Sequence, residues 1–282
     1  MTNEQAADIT RAWREAAGYW TKHALLVRAL FAPLTEKLLA AAALPAGSQV
    51  LDIAGGAGEP SLVIAERIAP DGFVACTDIA PEMIAGARRR AADAGISNIA
   101  FAICPADSLP FADNSFDVAV CRFGAMFFPD TIAALREIRR VLRPGGRAVL
   151  AVWGPPESNP FFTVSRSVLA RYIPPPPPEL DPDAPGAFRY AERDKLAALW
   201  RAAGACEVHE EIFDFRSSIP LTLAEFWPFQ YELSDTLRGK VASLSVAQQD
   251  NLAREVNTAM QPFFVTGVLD LPLRVLIVTA HK

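Results

Sequence analysis

The stretch Val50-Leu-Asp-Ile-Ala-Gly-Gly-Ala-Gly-Glu-Pro60 constrains the fold of this 282-residue chain more than any other. An apolar strand ends near an acid, crosses a turn of small residues, and opens into the helical pattern Pro60-Ser-Leu-Val-Ile-Ala-Glu-Arg-Ile-Ala69. Gly55, Gly56 and Gly58 let the backbone turn sharply and approach a ligand closely, because no Cβ stands in the way. The following helix aims unpaired N–H groups at whatever fills the turn. Asp52 sets a carboxylate beside it. That charge suits a ligand carrying positive charge or hydroxyls better than one carrying a pyrophosphate.

Strands and helices alternate from here on. Strands are expected at 49–53, 72–78, 98–103, 116–122 and 147–153, the last after the turn Pro144-Gly145-Gly146. Helices are expected at 60–69, 81–94, with Pro81 in the first turn, and 131–142. Such alternation predicts an α/β fold: a doubly wound, mostly parallel sheet with helices on both faces. Residues 4–44 read as two helices. After 154 the pattern breaks into a stiff excursion containing Pro174 through Pro178, with one helical piece near 160–171. Helix 190–203 and strand 205–215 return to the core. A second excursion carries Phe226, Trp227, Phe229 and Tyr231, and a last strand, 271–280, closes the chain. The expected organisation is N-terminal helices 1–44 over the ligand site, an α/β core 45–154, a Pro-rich insertion 155–189, a core helix and strand 190–215, a helical lid or acceptor insertion 216–266, and a closing strand 267–282. Excursions after strand carboxyl ends predict a lid over the crevice where open α/β sheets bind ligands. The competing reading makes Trp227 and its neighbours the core of a small helical subdomain.

The formal net charge of −5 argues against a dedicated nucleic-acid binder, which needs a concentrated basic face. Arg88-Arg89-Arg90 reads as a solvated helix end. Cys76, Cys104, Cys121 and Cys206 show no metal-ligand spacing, and the first three read as small buried hydrophobes of a reducing compartment. No apolar run is long enough to span a bilayer, and the polar start Met1-Thr-Asn-Glu-Gln5 is unlike a signal peptide. A soluble, cytoplasmic protein is the expectation. A homodimer is compatible with the sequence.

Four segments in order carry a family resemblance: Leu51-Asp-Ile-Ala-Gly-Gly-Ala-Gly58, Thr77-Asp78-Ile-Ala-Pro-Glu-Met83, Ala106-Asp-Ser-Leu-Pro-Phe-Ala-Asp-Asn-Ser-Phe-Asp117, and Leu135-Arg-Glu-Ile-Arg-Arg-Val-Leu-Arg-Pro-Gly-Gly146. With them the chain resembles the class I S-adenosylmethionine-dependent methyltransferases, and most closely the small-molecule branch that includes the ubiquinone/menaquinone-biosynthesis methyltransferases. The resemblance is strong over about 45–154 and weaker beyond. It implies a Rossmann-like sheet of seven strands whose last strand is antiparallel, S-adenosylmethionine as cofactor, and a small organic methyl acceptor.

It also implies roles for particular positions. Asp52 and the backbone of Ala54, Gly55 and Gly56 would flank the methionine part of the cofactor; relatives more often have Gly where Ala54 stands. Asp78 would hold the ribose hydroxyls, with a helix N-cap as its bland alternative. Ile79 and Met83 would offer apolar surface to the adenine, Ala106 an N–H, and Asp107 an acceptor, although relatives commonly have Asp where Pro105 stands and a turn residue would explain Asp107 equally. Arg122 would offer its carbonyl to the amino group. Tyr19, Trp20 and His23 lie in a helix that relatives fold over the methionine end. His23 is the weak candidate for a general base, since a lone His beside apolar residues is more often simply packed. Phe123, Phe127 and Trp227 are candidates for the acceptor pocket.

A sulfonium methyl is already activated, so alignment and water exclusion can carry the reaction without a dedicated acid–base pair. The segment after the fourth strand reads Cys121-Arg-Phe-Gly-Ala125, without the Asn/Asp-Pro-Pro-aromatic turn of amino-methylating enzymes. No carboxylate cluster marks a divalent metal site. Two rival readings remain: a nicotinamide-dependent oxidoreductase, disfavoured because Ser61 falls at the last glycine position of a dinucleotide fingerprint, and a non-catalytic cofactor-binding or regulatory module.

Overall fold

The computed structural model describes residues 3–174 and 181–282. Most of the proline run, from 175 onward, falls outside the described residues. Strands β1 (Gln49–Ile53), β2 (Phe73–Asp78), β3 (Ile99–Ile103), β4 (Phe116–Arg122), β5 (Leu142–Trp153), β6 (Cys206–Ile219), β7 (Phe264–Val265) and β8 (Val268–His281) form one sheet. The order is β3-β2-β1-β4-β5-β8-β6, and the two-residue β7 pairs with β8 off that path. β1 to β5 pair in parallel, whereas β8 runs antiparallel to both β5 and β6. The doubly wound sheet with one antiparallel closing strand therefore stands, with the short β7 as an eighth strand.

Helices on both faces explain the strand sequences. Val118, Ala119, Val120 and Cys121 in β4 are all buried, because a central parallel strand has no solvated face. Strand β6 lies at an edge and alternates instead, with Glu207, His209 and Asp214 turned to solvent. Helix α6 (Thr131–Val141) packs Ala134, Leu135, Ile138 and Val141 inward at helical spacing. Its N-terminus is capped by Asp130, which accepts the Ala133 N–H at 2.9 Å.

The N-terminal region forms three helices rather than two: α1 (Asn3–Lys22), α2 (Ala24–Leu30) and α3 (Ala32–Ala42). Pro33 explains the second break. It lacks an N–H for the preceding turn, so a new helix starts around it. Helices α4 (Ser61–Ile68) and α5 (Pro81–Asp93) follow β1 and β2, and α7 (Pro160–Leu169) and α8 (Lys195–Ala202) follow β5. Between β6 and β7 come α9 (Leu223–Leu233), α10 (Asp235–Val241) and α11 (Val246–Met260). A Thr222/Glu225 capping box starts α9. Its Gln230 amide is buried between α9 and α7, bonded to the Ser165 hydroxyl and the Phe161 carbonyl. Phe226 and Phe229 are buried beside it. The helices of both insertions pack on one another, and their buried residues are continuous with the core of the sheet, while Trp227 stays on the partly exposed side of α9.

Chain order reverses between β1 and β4, which opens a crevice at their carboxyl ends. The turns after β1, β2 and β4 meet there.

Candidate functional site

Two strand-end turns interlock at the crevice. Ala54 leaves β1 with φ +55° and Phe123 leaves β4 with φ +65°, left-handed conformations that cost a non-glycine residue about 1–3 kcal/mol. A Cβ on Gly124 would lie 2.5 Å from the Ala54 Cβ and 2.8 Å from Cys121 Sγ. Gly124 therefore makes room for the methyl that Ala54 carries.

The glycines of the first turn do different things. Gly55 faces inward: its N–H donates to the Thr77 carbonyl at 2.8 Å, and a Cβ there would meet Cys76 Sγ at 2.7 Å and Asp52 Oδ2 at 2.9 Å. Gly56 faces the crevice. It has φ +55°, and a Cβ there would find nothing nearer than Met83 Sδ at 4.0 Å.

Asp78 ties two turns together. Its Oδ2 accepts the Gly56 N–H at 3.0 Å and its Oδ1 the Ala80 N–H at 2.9 Å, next to the start of α5. The carboxylate therefore braces the turn before α5 without capping it, because α5 is capped by Ala80 with no side-chain hydrogen bond. Burial lifts it to about 6, against the pull of the Ala80 and Gly56 N–H groups. Asp52 is fully buried. Its Oδ2 accepts from the Ser61 hydroxyl, while its Oδ1 has no partner among the described residues. Burial raises Asp52 to about 7, opposed by the Ser61 hydrogen bond and the charge of Arg122.

Arg122 turns its side chain away from the crevice. Nη1 donates to Thr35 Oγ1 at 2.9 Å, Nη2 to the Glu59 carbonyl at 3.3 Å, and the guanidinium lies 5.3 Å from the Phe31 ring centroid. From the other side, Arg90 donates to the Ala57 carbonyl at 2.6 Å and to Glu59 Oε1 at 2.7 Å. The reading of Arg88-Arg89-Arg90 as a solvated helix end holds for the exposed Arg88 and Arg89 and is corrected for Arg90. Arg90 reaches back from α5 and clamps residues 57–59, and Arg88 lies over the Phe101 ring.

Helix α1 covers the turn. Ala17, Ala57, Ala80 and Met83 are buried together, with Trp13 and Trp20 packed against them. Met83 is 2% exposed, so the open apolar surface expected of it is occupied by α1. Tyr19, expected at the same ligand, points to the lid instead, its ring 4.8 Å below the Arg238 guanidinium of α10. Trp20 takes the place against the turn, and its Nε1 is buried without a partner among the described residues. Ile79, Ala106 and Asp107 are half-buried at the ends of β2 and β3.

The acceptor candidates divide. Phe123 stacks on Trp153 at 4.2 Å and meets Phe31 edge-on at 5.0 Å. Phe127 packs against Trp13 of α1 at 5.0 Å. Trp227 packs at the margin of the core and, among the described residues, has its one ring contact with Tyr231 on its own helix, 5.9 Å away. His23, expected near the methionine end, reaches the lid, with Nε2 2.5 Å from Glu232 Oε2. The sequence alone gives no site role to Trp13, Phe31, Glu59, Trp153 or Glu232. Trp13 and Trp20 are seven residues apart, so a shared helix face was the available signal. The partners of Glu59 and Glu232 lie 31 and 209 residues away, and no local pattern announces them. A separate groove of about 580 Å³ beside β6 and β8 is lined by residues such as Glu157, Asp214 and Arg274, none of them from these turns.

A Rossmann-like sheet with a glycine turn and an acid-tipped second strand at its switch point defines a nucleoside-cofactor class of α/β protein. The model of the ubiE/COQ5 methyltransferase family matches residues 30–172, just over half of the chain, and the chain belongs to that family. It is 36% identical over 162 residues to an uncharacterized protein of Mycobacterium tuberculosis, a match taking in 57% of each chain. It is 34% identical over 170 residues to the ubiquinone/menaquinone biosynthesis C-methyltransferase UbiE of Hahella chejuensis, covering 57% of this chain and 68% of that one. The matched region thus spans little more than half the length of the first relative. Among solved structures, the YcgJ protein of Bacillus subtilis superposes with a TM-score of 0.55 over 88% of this chain and 97% of its own, at 22% identity, which supports the fold.

Proposed function

We propose that this chain is an S-adenosylmethionine-dependent methyltransferase acting on a small, ring-bearing organic acceptor. Membership of the ubiE/COQ5 family supports the reaction class. The observation that carries the cofactor is the carboxylate of Asp78, buried at the end of β2 beside Gly56, the glycine of the first turn where an added Cβ would meet nothing nearer than 4.0 Å. Each Asp78 oxygen accepts one N–H, which leaves lone pairs for two ribose hydroxyls. The backbone of Ala54, Gly55 and Gly56 would line the methionine part, Ile79, Ala106 and Asp107 the adenine, and the Arg122 carbonyl the amino group. Among the described residues the buried Asp52 Oδ1 and Trp20 Nε1 have no partner, which would leave an acceptor and a donor for a polar ligand.

The bound cofactor supplies a methyl group on a positively charged sulfur. What the chain adds is alignment and dryness: α1 with Trp13 and Trp20 closes one side, and the ring of Phe123 against Trp153 forms an apolar wall for the acceptor. A dinucleotide fits worse. Its pyrophosphate would face the buried Asp52 and Asp78 carboxylates across the turn.

Isothermal titration tests the cofactor. S-adenosylmethionine should bind and NAD should not; the reverse result sinks the reading. Mass spectrometry after incubation with S-adenosylmethionine and a panel of phenols, hydroquinones and aliphatic amines tests the acceptor, with products expected from the ring-bearing members.

A further inference from the structure

His23 ends α1 at the point where that helix passes from the glycine turn to the lid. Three residues earlier, Trp20 packs with Ala57 and Met83. On the other side the imidazole stands edge-on to Phe229 at 5.2 Å. From Phe229 a chain of ring contacts runs through Phe161 (6.4 Å), Phe162 (5.1 Å) and Trp153 (4.8 Å) to Phe123 (4.2 Å), the residue that leaves β4. Contiguous ring contacts through the buried Phe229 and Phe161 thus join His23 to Phe123, and His23 stands between α1 and α9.

Its Nε2 lies 2.5 Å from Glu232 Oε2, with the His23 side chain 12% exposed and that of Glu232 20%. Lys22 Nζ reaches the same carboxylate at 2.7 Å. Burial works to raise the Glu232 carboxyl, but the hydrogen bonds from Lys22 and His23 outweigh it and hold the group below the usual carboxylate value. An ionised carboxylate on Nε2 fixes the neutral imidazole with its proton on that nitrogen and leaves Nδ1 as the basic one. Nδ1 has no hydrogen-bond partner among the described residues.

We propose that His23 and Glu232 form an acid–base pair serving an acceptor with a weakly acidic hydroxyl, a phenol or hydroquinone. The proposal rests on the methyltransferase reading above. The acceptor's O–H bond breaks with its electron pair left on oxygen, and the proton passes to Nδ1. The imidazolium is stabilised by Glu232 until it gives the proton to water. His23 is the catalytic residue and Glu232 the positioning residue. The charged groups around the imidazole are Glu232, Lys22 and Arg238; Arg238 bonds the Glu232 carbonyl from α10.

The test uses the full chain, unchanged and as His23→Gln and Glu232→Gln, with S-adenosylmethionine and two probe acceptors, 1,4-naphthohydroquinone and 4-nitrophenol. Both variants should bind S-adenosylmethionine within about twofold of the unchanged chain and lose about 100-fold in kcat on the hydroquinone near pH 7. The loss should shrink as pH rises and the acceptor ionises unaided, and should be small on 4-nitrophenol, whose hydroxyl ionises near neutrality. A tether between helices would yield neither trend. Nitrogen-15 spectra need no acceptor: the neutral His23 ring should carry its proton on Nε2, and Glu232→Gln should redistribute it. Unchanged kcat in both variants, or a proton on Nδ1 in the unchanged chain, overturns the pair while leaving the methyltransferase reading intact. Failure of the unchanged chain to bind S-adenosylmethionine overturns both.

Discussion

Adjacent glycines in the first turn answer to different neighbours. A methyl at Gly55 would press on Cys76 and Asp52 inside the core, so Gly55→Ala should destabilise the fold by about 1–3 kcal/mol, read as a lower midpoint in thermal unfolding. Gly56 has space around it but φ +55°, so Gly56→Ala adds strain of about 1 kcal/mol and projects its methyl into the proposed ligand path. Its larger effect should be on S-adenosylmethionine affinity, measured by titration. Equal affinity loss in a folded Gly55→Ala chain would contradict this division of labour. Gly124 shows the same logic across the crevice, where it accommodates Ala54.

At the level of elements, α1 is the part whose position matters most. It rests on α5 at Gly86, where a Cβ would come 2.5 Å from Thr21 Oγ1, and is held by Arg14, which donates to Glu82 at 2.9–3.2 Å. The Arg14–Glu82 pair is exposed and contributes little, so the apolar contact of Ala17, Trp13 and Trp20 holds the helix. Gly86→Leu should lift α1 from the turn, seen as faster amide exchange over 8–22 and faster cofactor release in stopped-flow Trp fluorescence. Exchange rates matching those of the unchanged chain would refute the role of α1 as the cover of the turn.

This helix also marks the boundary of what the sequence discloses. Strands β1 to β5 and helices α4 to α6 were readable because short-range periodicity, Pro81 and the glycine turn fix them locally. The order of the turns in the crevice followed from the alternation. Helix α1 was readable as a helix, yet which face met the turn was not: Tyr19 and Trp20 are neighbours, and only the packing on Met83 chooses between them. Likewise, Arg90 sits in a run of three arginines that looks solvated, and its inward reach depends on a carbonyl 33 residues away.

For the molecule as a whole, the two buried carboxylates tie stability to pH. Burial raises Asp52 to about 7 and Asp78 to about 6, from an ordinary 3.8. Between about pH 4 and 7 the folded chain holds protons that the unfolded chain has released, so stability falls as pH rises through that window and levels above it. The Asp52 contribution is on the order of 2–4 kcal/mol. Asp52→Asn, which cannot titrate, should unfold with a flatter dependence over this range in denaturant titrations. A slope identical to that of the unchanged chain would mean Asp52 is ionised throughout. Paired surface carboxylates such as Asp214, which Arg274 holds below its usual value, act in the opposite sense and only at more acidic pH.

The central claim is that the carboxylate ending β2 grips the sugar of S-adenosylmethionine in the crevice between β1 and β4. Calorimetric titration of that cofactor into the unchanged chain and into Asp78→Ala, at a pH where both are folded, addresses it most directly. Binding by the unchanged chain and a 10- to 100-fold weaker affinity in the variant, about 1–3 kcal/mol, is the predicted result. Equal affinity in the two chains, or no binding by the first, would contradict it.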